Sequence, residues 1–155
     1  MRIANASQIY THLIGIDEAG RGPLAGPVVV AGVCVPYRMN LRKIFSGIRD
    51  SKKLTAKQRE RWFAIITSHP KIRWSVANIS PQVIDRINIA VSANRGACRV
   101  YKKLSRGTTA HAVLDGGLRV NSRVSQETMI KGDERHPLIA AASIIAKVTR
   151  DRMML

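Results

Sequence analysis

Ile14-Gly15-Ile16-Asp17-Glu18-Ala19-Gly20-Arg21-Gly22-Pro23-Leu24-Ala25-Gly26-Pro27 runs directly into Val28-Val29-Val30-Ala31-Gly32-Val33-Cys34-Val35. Two apolar strands, at about 12–17 and 27–36, are expected here, joined by a glycine-rich turn that carries an arginine. The first strand ends in two adjacent carboxylates. Charges at the end of a buried strand are costly to desolvate and persist mostly by binding a cation or accepting hydrogen bonds. Glycines at 20, 22 and 26 let backbone N–H groups approach a ligand that a side chain would hold off. Acidic residues beside an arginine-bearing turn point toward phosphodiester chemistry.

The pattern downstream alternates between the two periodicities. Residues 37–50 read as a basic, polar connection. Thr55 and Gln58 form a capping box opening a helix to about Ser68, with Trp62, Ile65 and Ile66 expected on its inner face. Residues 72–79 alternate as a third strand, and Ser80-Pro81 signals a helix start. Asn88 is expected to cap a longer helix, with Val91, Ala97, Cys98, Tyr101 and Leu104 near one face. Short strands follow at 110–115 and about 124–130, and Pro137 opens a last helix rich in small residues. Strands interleaved with crossover-length helices give an α/β class with a mixed β-sheet flanked by helices. The 155 residues are read as a single domain, 1–155, large enough for a hydrophobic core.

Charge is the strongest bulk signal. The formal net charge of +16 implies a polyanionic partner, and nucleic acid fits better than a membrane surface because no basic amphipathic anchor stands out. There is no long apolar run for a membrane span and no signal-peptide core. Cys34 and Cys98 have no metal-ligand spacing, so both are expected to be buried free thiols in a cytoplasmic protein. His12, His69, His111 and His136 likewise show no ligand spacing and read as structural or surface residues, and Trp62 and Trp74 read as core. The ten acids are distributed tellingly: Asp17, Glu18, Asp115 and Asp133 all sit beside glycine or at ends of apolar runs. Such oxygens are the ligands that hard Mg²⁺ prefers, and a pair of divalent ions can activate water and stabilise a departing oxygen.

Six motifs in order carry a family resemblance: Gly15-Ile16-Asp17-Glu18-Ala19-Gly20-Arg21-Gly22-Pro23, Asp50-Ser51-Lys52-Lys53-Leu54, Ile87-Asn88-Ile89, Leu114-Asp115-Gly116, Ile130-Lys131-Gly132-Asp133, and Ala140-Ala141-Ala142-Ser143 through Thr149-Arg150-Asp151-Arg152. With these the chain resembles ribonuclease HII. The resemblance implies a ribonuclease H-like fold and a monomeric endoribonuclease that cuts the RNA strand of RNA–DNA hybrids. It also implies incision at ribonucleotides embedded in duplex DNA, leaving 5′-phosphate and 3′-hydroxyl ends, with two Mn²⁺ or Mg²⁺ ions as cofactor. Catalytic and metal-binding roles are implied for Asp17, Glu18, Asp115 and Asp133. Contact with the ribose 2′-hydroxyl is implied for Gly20, Arg21 and Gly22, and phosphate contact for Ser51, Lys52 and Lys53.

Asp151 is read as a further acid behind the metal site or as half of a surface ion pair. The family pattern continues beyond Arg152 to a Gly-Phe…His-Lys-Gly-Tyr segment whose tyrosine stacks on a sugar. That C-terminal part is expected to be absent here, and Tyr10, Tyr37 and Tyr101 occupy other positions. Gly117-Leu118-Arg119 also departs from the more usual Asn-Arg. The competing readings are a basic nucleic-acid-binding module or shortened nuclease without catalysis, and another two-metal enzyme of the same fold. Ribonuclease HIII fits less well, because its fourth acid is Glu where this chain has Asp133.

Overall fold

The computed structural model describes residues 9–21, 26–49 and 51–155. Its centre is a five-stranded mixed sheet of order β3-β2-β1-β4-β5, formed by β1 (His12–Ala19), β2 (Val28–Pro36), β3 (Arg73–Ile79), β4 (Ala110–Asp115) and β5 (Gln126–Met129). The β1–β2 and β2–β3 pairs are antiparallel, whereas β4 runs parallel to both β1 and β5. The α/β expectation with a mixed sheet holds.

Strand β2 explains the layering. Alternate side chains point to opposite faces of a strand, and from Val28 to Val35 every residue of β2 is buried. Val28, Val30 and Cys34 join one core with Ala93, Ala97 and Val100. Val29, Ala31, Val33 and Val35 join a second core with Leu138, Ala141, Ala142 and Ile145. Both faces must therefore be covered. The first is covered by α4 (Ile89–Leu104), and the second by α6 (Pro137–Met153) with α2 (Ala56–Ser68) outside it.

The helix ends follow their caps. Thr55 and Gln58 form the reciprocal capping box. Ser80 caps α3 (Pro81–Ile87), and the Asn88 side chain accepts from Val91 N–H at the start of α4. Two short helices lie where only connections were read: α1 (Leu41–Ile44), capped by Asn40, and α5 (Gly132–Arg135). Four residues are too few to imprint a helical period on the sequence.

Several facial assignments need correction. Ile65 is exposed, so α2 turns Ile66 alone fully inward, with Trp62 and Phe63 half-buried beside it. On α4, Val91 and Cys98 face outward, and the buried stripe is Ser92, Ala93, Gly96, Ala97, Val100 and Leu104. Small residues, which hydrophobicity patterns underweight, let this helix approach the sheet. Cys98 is therefore an exposed thiol, while Cys34 is buried as expected. Trp74 is also exposed, set edge-on to Phe63. No helix among the described residues is long and apolar enough to cross a membrane.

Strand β1 and α6 lie close together at Gly15, where a Cβ would stand 2.6 Å from the Leu138 carbonyl oxygen. Backbone cannot swing aside as a side chain can, so any larger residue must push α6 off the sheet. Gly15→Ala is expected to lower stability by about 2–3 kcal/mol, read as a shift of the urea midpoint at unchanged m-value.

Candidate metal and phosphate site

At the carboxyl end of β1 the sheet changes its pairing. The parallel ladder with β4 stops at Ile16–Leu114, whereas the antiparallel ladder with β2 runs on through Asp17, Glu18 and Ala19. Neighbours in a strand point to opposite faces, so Asp17 and Glu18 can share a site only where the strand ends, bends or loses a partner. Here β1 continues, and what ends is its pairing with β4. Past that point the Glu18 N–H is taken by Asp17 Oδ1 at 2.8 Å. By alternation Glu18 belongs to the opposite face, yet its longer side chain reaches the group formed by Asp17 and Asp115. Oxygens of all three carboxylates lie within 4.8 Å of one another.

Asp115 ends β4, and its Oδ1 accepts a 2.6 Å bond from Gly132 N–H. That bond fixes the start of α5 beside the strand end and brings Asp133 to the same pocket. Asp133 lines it with the other three acids but stands outside the close triplet. The cavity, about 370 Å³, is also lined by Gly20, Arg21, Ser51, Lys52, Ser143 and Lys147.

The basic residues divide. Arg21 lines the pocket 3.4 Å from Glu18 Oε1, and Lys52 lines the wall beside Ser51, whose hydroxyl is bonded to Ser143 at 2.8 Å. Lys53 does not line the pocket and pairs with Glu134 at 3.2 Å. Asp151 is a half-exposed ion-pair partner of Lys147 at 3.2 Å and meets the site only through that lysine. Gly22 lies outside the described residues.

Three contributors were not singled out from sequence. Ser143 and Lys147 present one face of α6 to the pocket at helical i, i+4 spacing, a signal that the acids could have prompted. Arg150 is the third. It is buried on α6, and its Nε donates to the Pro27 carbonyl at 3.0 Å. A Cβ on Gly20, which has φ of +94°, would fall 2.3 Å from the same Nε. The guanidinium thus sits against both ends of the glycine segment, and only a glycine at 20 leaves room for it.

The family model and the curated relatives agree on one family. The family model described as Ribonuclease HII matches residues 14–155. A protein of Bacillus mycoides (strain KBAB4) named Ribonuclease HII is 45% identical over 144 residues, which cover 93% of this chain and 53% of that protein. The chain thus spans about half the length of that curated relative. Among solved structures, the ribonuclease H2 from Pyrococcus horikoshii OT3 superposes with a TM-score of 0.68 at 29% identity, covering 92% of this chain and 74% of that one. A structure of Bst-RNase HIII in complex with Mn²⁺ gives a TM-score of 0.72 at 23% identity, covering 99% of this chain and 57% of that one, a likeness of fold.

Electrostatics mark the acidic group as unstable on its own. Burial pushes the Asp17 carboxyl well above the usual range, and the charges of Glu18 and Asp115 push it further. Burial also raises Glu18, against the opposing hydrogen bond with Asp17 and the nearby Arg21. Glu18 Oε2 is buried without a hydrogen-bond partner, a cost that a cation would remove. Because the folded Asp17 holds its proton more tightly than the unfolded chain does, the unfolded state ionises first. Stability in the metal-free protein is therefore full below about pH 4 as regards this group, and falls as pH rises through the elevated folded value. In EDTA at pH 7.5, Asp17→Asn is expected to raise the melting temperature. The gain should vanish near pH 4, and an equal gain at both pH values would contradict this electrostatic origin.

Proposed function

This chain belongs to the ribonuclease HII family, and we propose that its acidic pocket performs metal-dependent hydrolysis of the RNA strand in RNA–DNA hybrids. The observation that carries the reading is the close triplet of Asp17, Glu18 and Asp115, with Asp17 buried and one Glu18 oxygen buried without a partner. All-oxygen, carboxylate-rich donors fit hard divalent cations. Asp17, Glu18 and Asp115 would hold the metal, with Asp133 at the pocket wall completing the set for a second ion. A divalent cation bound there supplies Lewis-acid activation of water and neutralises charge gathering on the departing 3′-oxygen. The products would carry 5′-phosphate and 3′-hydroxyl ends. Mn²⁺, the ion named with the ribonuclease HIII structure, and Mg²⁺ are the two candidates.

The remaining walls suit a phosphodiester. Lys52 and Lys147 face the acids from two different elements and can neutralise phosphate oxygens while the acids stay ionised. Arg21 screens Glu18 from its neighbours and bears the turn expected to meet a ribose 2′-hydroxyl. The Arg150 contact with Gly20 and Pro27 holds both ends of that turn against α6. We extend the proposal to single ribonucleotides embedded in duplex DNA, which the same turn would detect.

Asp17→Asn and Asp115→Asn are each expected to reduce cleavage of an RNA–DNA hybrid at least about 10³-fold. Hybrid binding should stay within about threefold, because neither acid attracts a polyanion. Mn²⁺ should raise the melting temperature of the unaltered chain and not that of Asp17→Asn. Undiminished cleavage in either variant with Mn²⁺ present would defeat the assignment. Comparing a continuous hybrid with a duplex carrying one ribonucleotide tests the finer claim.

A further inference from the structure

Asp133 has two sides. One lines the carboxylate pocket, and the other lines a second groove of about 340 Å³ between α1 and the start of α6. The two spaces therefore adjoin across a single side chain. The second groove has an apolar floor that includes Phe45, Ile48 and Pro137, with Arg42 on α1 and Arg135 on α5 at its rim. Its acids are already engaged elsewhere. Glu134 is paired with Lys53 at 3.2 Å, and Asp133 faces the acidic pocket. Arg135 makes one long 3.4 Å bond to the Ile130 carbonyl, which uses one of five guanidinium donors. Both arginines are exposed.

We propose that this groove takes the sugar–phosphate of a nucleotide flanking the cleaved bond, its phosphate held between Arg42 and Arg135. The inference rests on the nuclease reading and adds to it a position along the strand. Continuity with the pocket supplies the occupant, because a strand whose reacting phosphate lies among Asp17, Glu18 and Asp115 must leave that pocket on either side. Charge supplies the complementarity, since two guanidinium groups flank an apolar strip that suits a ribose or deoxyribose face.

The test uses fluorescence anisotropy with an RNA–DNA hybrid, comparing the unaltered chain with Arg42→Ala, Arg135→Ala and the double variant. Arg106→Ala is the charge-matched control, an exposed arginine beyond the far end of α4. Each groove variant should weaken binding roughly fivefold and flatten the log–log salt dependence by about one unit, while Arg106→Ala does neither. A neutral methylphosphonate placed in turn at phosphates near the cleaved bond adds a readout that misfolding does not mimic. One flanking position should weaken binding by the unaltered chain and have no further effect on the double variant. Groove variants that bind like Arg106→Ala, or a methylphosphonate effect that persists undiminished in the double variant, would overturn the groove assignment. Binding without cleavage by the unaltered chain would overturn the nuclease reading while leaving the groove result to stand. Neither binding nor cleavage would defeat both.

Discussion

Mutual repulsion among Asp17, Glu18 and Asp115, with Asp17 almost wholly removed from water, is the constraint around which the fold is arranged. Burial and like charge both oppose ionisation of Asp17. Left to itself a flexible chain would spread these groups apart. They are held within 4.8 Å because two come from β1 and one from its parallel neighbour β4, with side chains of β1 and β4 packed into the buried core. Apolar packing on both faces of the sheet thus offsets a local electrostatic cost, and that cost is available to a cation as binding energy.

The rest of the molecule can be understood as support for that placement. Gly15 lets α6 lie directly on β1, which aims Ser143 and Lys147 at the acids. The bond from Gly132 N–H to Asp115 sets α5 against the end of β4 and delivers Asp133. Arg150, anchored to Pro27, ties the glycine segment to the same helix. One helix therefore contributes a wall, a cation and a clamp, each from a different turn.

Positive charge is organised in two tiers. Most of the basic residues face solvent and give a general attraction for polyanions, sensitive to salt. A smaller set, Arg21, Lys52 and Lys147, stands around the carboxylates. The contrast between a negative pocket and a positive exterior suits a substrate that is itself anionic, because the exterior attracts it and a bound cation reconciles it with the acids.

Sequence by itself determined the strands, the Thr55–Gln58 capping box and the identity of the acids, because these depend on neighbours a few residues apart. Thr55 with Gln58 and the unbroken apolar run of β2 are local statements that the fold repeats unchanged. It was equally legible that Asp17, Glu18, Asp115 and Asp133 end apolar segments. What only the tertiary structure decided is how they meet. The ladder with β4 stops one residue before Asp17 while β2 carries β1 onward, so adjacent residues on opposite faces can share one pocket. The inward turn of Ala93 and Gly96 in place of Val91 and Cys98, the pairing of Lys53 with Glu134, and the burial of Arg150 also depend on packing between distant segments. Spacing along a chain fixes direction within one element. Register between elements is set only when their surfaces interlock.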